Sequence, residues 1–193
     1  MESTRIYWIM NMVCRRCLKV IKQELEEINV EIVSLELGKL TVRANKNIDK
    51  EIDSKVMEVL HSNGFEIAQS EEEMLVEEVK ITLIEIIKEL PIHIKEKTSE
   101  HLAMTLHRDY KLLSKLFSKN EHTTIEKYFI KLKIERVKEL IQLQQYTFSD
   151  IAYMLDYSSV NHLSRQFKNI TGISMTDYKN AEDWKRNFYD EII

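Results

Sequence analysis

The spacing of apolar residues changes period several times along the chain. Ile6-Tyr7-Trp8-Ile9-Met10 is a β-prone apolar run and predicts a buried first strand. From Cys14 to Ile28 the spacing becomes helical, with Cys17 or Leu18, Ile21, Leu25 and Ile28 on one side. Val30, Ile32, Leu35 and Leu37 predict a second strand whose phase slips near Val33. Gly38-Lys39 reads as a tight turn, and Leu40-Thr41-Val42-Arg43-Ala44 alternates as a third strand. Helical period returns from Ile48 to Asn63 through Ile52, Val56, Val59 and Leu60. Phe65-Glu66-Ile67-Ala68 makes a short last strand. The order βαββαβ predicts a ferredoxin-like split βαβ sandwich over residues 1–69.

The rest of the chain is helical in pattern, so the fold class expected is α+β, a small sheet domain followed by an all-α one. Ser70-Glu71-Glu72-Glu73 opens a connecting helix over 70–90, ended by Pro91. Its plainest reading is an apolar face packed on the C-terminal half and an acidic face in water. A lever or a dimer-forming helix is the functional alternative. In the domain 91–193, Thr98-Ser99-Glu100 starts a helix, Leu106-His107-Arg108-Asp109 turns, and Tyr110 to Lys119 is a second helix. A long amphipathic helix from Thr124 to Leu143 leads to a further helix at Thr147–Tyr157, a turn, and a helix bearing Val160, Leu163, Phe167 and Ile170 on one face. Two helix-turn-helix units are thus expected, at about 98–120 and 147–170. Leu113-Ser114-Lys115-Leu116-Phe117 lines up with Leu163-Ser164-Arg165-Gln166-Phe167, fifty residues on. That internal repeat is more specific than either unit alone.

Composition adjusts this picture. The net charge of −4 weighs against a nucleic-acid binder, but its source is local. Residues 70–98 hold eight acidic side chains against four basic, while 99–193 hold thirteen against fourteen. No apolar run reaches the roughly eighteen residues of a membrane span, and the start of the chain lacks a secretory pattern. The expected location is the cytoplasm, where thiols stay reduced, so Cys14 and Cys17 read as a thiol pair or metal ligands rather than a disulfide. No hydrolytic triad or phosphate-cradling glycine loop is evident, and a non-enzymatic role is expected.

Met12-Val13-Cys14-Arg15-Arg16-Cys17, at the first strand-to-helix loop, with Asn63-Gly64-Phe65-Glu66 near the end, resembles the heavy-metal-associated, metallochaperone-like domain. The resemblance implies a soft metal ion, Cu(I) or Zn, held by the thiolates of Cys14 and Cys17. Asn11 replaces the family's glycine, and two arginines stand between the cysteines. These cations lower a thiol pKa and oppose a bound cation, so thiol redox chemistry and a structural remnant that serves partner binding stay open beside metal binding.

Phe148-Ser149-Asp150-Ile151-Ala152, then Tyr157 to Lys168, and Thr171-Gly172-Ile173-Ser174 with Tyr178 resemble the DNA-binding domain of the AraC family of transcription regulators. The likeness runs from near Leu83 to Lys179; Asp156 stands where the family usually has glycine, and Met175 where proline is common. It implies two recognition helices in adjacent major-groove segments of double-stranded DNA. Groove-facing candidates are Tyr110, Lys111, Ser114 and Lys115 in the first, and Ser159, Asn161, His162 and Arg165 in the second. Arg165 suits guanine and Asn161 adenine. Lys119, Lys131 and Lys168 suit phosphates. RNA polymerase and a second copy of the chain are the further partners that the resemblance brings. The competing expectation is a metal carrier or adaptor whose helical half only docks.

Overall fold

The computed structural model describes residues 3–12, 15–44 and 49–181. Cys14 and the expected helix start at Ile48 lie outside the described residues. The chain is a small antiparallel sheet with helices, followed by a helical half. It divides into two compact units, Met1–Ile81 and Thr82–Ile193, and the division falls inside one helix, Glu71–Lys88.

The first unit contains β1 (Ser3–Met10), α1 (Arg15–Glu27), β2 (Ile32–Glu36), β3 (Lys39–Ala44), α2 (Asp49–Ser62), β4 (Glu66–Ile67) and the start of α3 (Glu71–Lys88). The strands form one sheet in the order β2-β3-β1-β4, antiparallel throughout. Alternation along β1 and β3 sends Tyr7, Ile9, Leu40 and Val42 into a core with Ile21, Leu25, Val56 and Leu60. The phase slip expected near Val33 is a register shift between Ile32 and Ser34, and Val33 is left half-exposed. The β2–β3 hairpin turns on Gly38 at φ +69°, a left-handed conformation that costs glycine no steric strain.

The second unit places α4 (Thr98–Leu106), α5 (Tyr110–Glu121), α6 (Ile125–Gln142), α7 (Phe148–Met154), α8 (Val160–Thr171) and α9 (Met175–Lys179) after the end of α3. Most of these helices start on a side-chain cap. Asp109, Thr124, Thr147, Ser159 and Ser174 each accept a backbone N–H of their helix's first turn. At α4, where Thr98 or Ser99 reads as the start, the cap position is instead Lys97, which makes no side-chain cap bond. α9 is an element the hydrophobic spacing does not announce. Its capping box, Ser174 with Asp177, is the sequence signal that marks it.

The fifty-residue repeat is physical. Phe117 meets the edge of Tyr128 with centroids 5.3 Å apart, and Phe167 meets Tyr178 at 5.6 Å. Each helix carrying the phenylalanine ends on a left-handed residue, His122 at φ 52° and Gly172 at φ 81°. Each following helix then starts on a hydroxyl cap, Thr124 or Ser174. The buried face of α6 serves both halves of the repeat. Its Tyr128 completes the first aromatic pair, while Ile134, Val137 and Ile141 join Ile151, Leu163 and Phe167 in the second core.

Candidate nucleic-acid interface

Helix α5 begins where the Asp109 carboxylate accepts the N–H of Lys111 at 2.9 Å and of Leu112 at 3.3 Å. Leu113, Leu116 and Phe117 are buried, which turns Lys111, Lys115 and Lys119 to the exposed side. Ser114 is half-buried. Tyr110, a groove candidate from the sequence, is half-buried and donates its hydroxyl to Glu126 at the start of α6. Burial and that carboxylate push its pKa up. The ring thus joins α5 to α6.

Helix α8 begins on Ser159, whose hydroxyl accepts the N–H of His162 at 3.2 Å. Ser159 therefore has a capping duty beside any contact outside the protein. Leu163 and Phe167 face inward; Asn161, His162, Arg165 and Lys168 are exposed. Ser158, Ser159, His162, Arg165, Gln166 and Asn169 border a shallow concavity of about 420 Å³. Every one of these side chains donates or accepts hydrogen bonds, the chemistry that reads base edges. The surface is partly pre-arranged. The Tyr157 hydroxyl donates to Gln166 Oε1 at 2.6 Å, its ring lies 5.4 Å from that of His162, and Ser158 Oγ is 3.2 Å from His162 Nδ1. Tyr157, Gln166 and Asn169 are additions to the sequence-derived set. The interruption of α7 at Asp156, φ 56°, supports a turn on a residue that tolerates the left-handed region.

Charge is sorted in the same way. Residues 102–181 hold twelve Lys and Arg against eight Asp and Glu, opposite in sign to the whole chain at −4. Asp109 caps α5, Asp150 and Asp177 bond back to the caps Thr147 and Ser174 in capping boxes, and Glu121 and Glu135 are buried. Those acids are committed to helix starts or to the interior, whereas Lys111, Lys115 and Lys168 stand on exposed faces. Lys131, expected at a phosphate, is half-buried on α6 and less available than Lys119 or Lys168.

The other candidate region is the β1–α1 corner. Cys17 sits in the first turn of α1, half-buried against the core that contains Met12. Asn11 takes φ 61°, a left-handed value that glycine adopts freely and asparagine tolerates. Its backbone N–H donates to Glu77 Oε1 at 2.9 Å, and its side-chain oxygen accepts from Lys80 Nζ at 3.4 Å. Glu77 and Lys80 are buried on α3. Among the described residues, no group of three or more His, Cys, Asp or Glu side chains could hold a metal ion, and no helix is long and apolar enough to cross a membrane.

A search against curated proteins finds no match. Two solved structures are similar. One is a DNA-binding transcriptional dual regulator from Escherichia coli K-12, at 22% identity and TM-score 0.47, covering 55% of this chain and 89% of that one. The other is the transcriptional regulator CdpR from Pseudomonas aeruginosa, at 13% identity and TM-score 0.44, covering 83% of this chain and 51% of that one. A protein-family model described as a helix-turn-helix domain matches residues 102–181, a stretch that takes in most of α4 and all of α5 to α9.

Proposed function

We propose that this protein is a sequence-specific, double-stranded DNA-binding transcription regulator of AraC type, with α5 and α8 as its two recognition helices. The observation that carries the reading is the exposed face of α8. Asn161, His162 and Arg165 stand out from a helix capped by Ser159 and anchored by Leu163 and Phe167. Arg165 offers two parallel donors to guanine, and Asn161 a donor and an acceptor to adenine. Lys111 and Lys115 form the corresponding exposed face of α5, and Lys119 and Lys168 serve phosphates. The net positive charge of 102–181 draws the domain to DNA although the whole chain is acidic. Selection of bound duplexes from a random library, followed by footprinting, tests this. Two protected segments on one face, about 34 Å apart, are expected. Absence of any sequence preference at moderate salt overturns the reading.

For the first unit the reading is a ferredoxin-like, heavy-metal-associated domain that senses a soft ion or thiol state. The element order and the strand order β2-β3-β1-β4 support it, as does the left-handed Asn11 before the cysteine segment. Cys14 and Cys17 would hold the ion. Two thiolates suit Cu(I), while zinc in a closed site needs further ligands. A bound ion supplies charge neutralisation of the two thiolates; the chain's own Asn11, tied to Glu77 and Lys80, fixes the corner from which the segment leaves. Titration of the intact protein and of a Cys14→Ser/Cys17→Ser variant with Cu(I) and Zn, read as DNA affinity, tests the sensing part. An identical response of both proteins overturns it.

A further inference from the structure

We propose that Lys133, in the middle of α6, sets where α8 stands and is a positioning residue for the groove-facing side chains of that helix. The inference rests on the reading of α8 as a recognition helix.

The geometry begins at the end of α7. The last carbonyls of a helix have no partner within it and must find one outside. Here two consecutive ones do. Met154 O accepts the backbone N–H of Ile92 at 2.8 Å, and Leu155 O accepts Lys133 Nζ at 2.8 Å. A lysine ammonium on a helix-terminal carbonyl is a charge-assisted bond at the negative end of the dipole. The same Nζ lies 5.0 Å from the ring centroid of Phe129 and 5.2 Å from that of Tyr157, so the cation is held between two aromatic faces. Phe129 is one turn back on α6, whereas Tyr157 belongs to the turn itself.

From Tyr157 the chain of contacts enters α8. Its hydroxyl donates to Gln166 at 2.6 Å and its ring abuts His162 at 5.4 Å. Lys133 therefore grips the turn by a carbonyl and a ring, and that ring grips the recognition helix at two points one turn apart. Burial pulls the Lys133 pKa below its ordinary 10.5, and the carboxylate of Asp156, between Leu155 and Tyr157, opposes that shift. A shallow cleft of about 520 Å³, bordered by Ile94, Thr98, Phe129, Lys133 and Asp156, leaves one side of this cluster open to water.

A residue that only stabilised the domain would affect both recognition helices alike. Lys133 instead acts on one side: its ammonium bonds Leu155 and faces Tyr157, both in the turn before α8, and its other ring contact, Phe129, is on its own helix. The test uses the full-length protein and duplexes selected by the wild type. Base pairs of the site are changed one at a time, and the affinity penalties of the half bound by α8 are compared with those of the half bound by α5. For Lys133→Met, binding to the selected site is expected to weaken by about tenfold. Discrimination should fall in the α8 half and persist in the α5 half. Lys133→Arg, which retains a cation and a donor, should recover most of both. Tyr157→Phe removes only the hydroxyl bond to Gln166, and should show a smaller loss confined to the same half. This variant decides the matter if Lys133→Met does not fold by circular dichroism. Wild-type discrimination in the folded variants, or equal loss in both halves, overturns the proposal. A wild-type protein that selects no sequence overturns the recognition-helix reading, and with it this inference.

Discussion

The phenolic hydroxyl of Tyr110 donates a hydrogen bond to the carboxylate of Glu126, joining the first residue of α5 to the first turn of α6. This bond is the leading reason that the Glu126 carboxyl titrates below its usual 4.5. A carboxyl whose pKa is lower folded than unfolded adds stability above the unfolded value. The contribution fades as pH falls from about 4.5 through the lower folded pKa. Tyr110→Phe is expected to cost about 0.5 kcal/mol near neutrality, small because the Glu126 carboxylate is exposed and water competes for it. The gap in melting temperature between wild type and variant should narrow as pH falls below about 4.5. Thermal melts across that range check this; a gap of constant size would contradict the assignment.

Ser159 has two possible duties, and two substitutions separate them. Ser159→Ala removes the cap of α8 and should lower stability by about 1 kcal/mol. Ser159→Asp caps equally well but places a carboxylate beside the proposed DNA face, so it should preserve the melting temperature and weaken DNA binding. Equal DNA affinity for Ser159→Asp and wild type would place Ser159 away from the duplex.

The lysines differ in exposure, and salt titration should reveal it. Lys168→Gln is expected to reduce the slope of log affinity against log salt by about one unit. Lys131→Gln, at a half-buried position, should change that slope less. A larger effect at Lys131 would redraw the phosphate path.

At Asn11 the order of stability is predicted to be wild type, then Asn11→Gly, then Asn11→Ala. Glycine keeps the left-handed backbone and the N–H bond to Glu77 but loses the oxygen that accepts from Lys80. Alanine loses that oxygen too, and adds a backbone penalty of about 1 kcal/mol. Chemical denaturation ranks the three, and alanine equal to glycine would refute the backbone argument.

Gly38 and Gly172 share a positive φ but not a neighbourhood. An added Cβ at Gly38 would lie 2.3 Å from Ile81 Cδ1, whereas at Gly172 nothing lies within 4 Å. Gly172→Ala should therefore cost about 1 kcal/mol from backbone strain alone. Gly38→Ala should cost more, because the side chain of Ile81 must also move. Equal losses in denaturant midpoint would show that the hairpin yields.

How much a sequence discloses depends on the range of each interaction. Caps bond within three residues, so Thr124 and Ser159 are readable directly, and Leu163 with Phe167 marks the buried face of α8 by spacing alone. The slip near Val33 is legible because a strand's alternation breaks at a bulge. Lys97 at the start of α4 is not, since Thr98 and Ser99 both suit a cap and only the surrounding chain decides between them. Tyr110 reads as a groove residue because its partner lies sixteen residues away, on another helix. The links from Lys133 to Leu155 and from Asn11 to Glu77 span 22 and 66 residues, and no local pattern encodes either.

The division between the two units falls at Ile81 and Thr82, within α3. Fragment design has to respect this. A piece cut at Thr82 would begin with about four backbone N–H groups stripped of their helical acceptors. A piece begun at Gln69 would keep a native start, because Ser70 Oγ accepts the N–H of Glu73 at 3.2 Å while the Glu73 carboxylate accepts the N–H of Gln69 at 2.6 Å. A fragment begun there carries with it the whole acidic first turn of α3, Glu71 to Glu73, and that added negative charge sets the baseline against which any DNA affinity must be read.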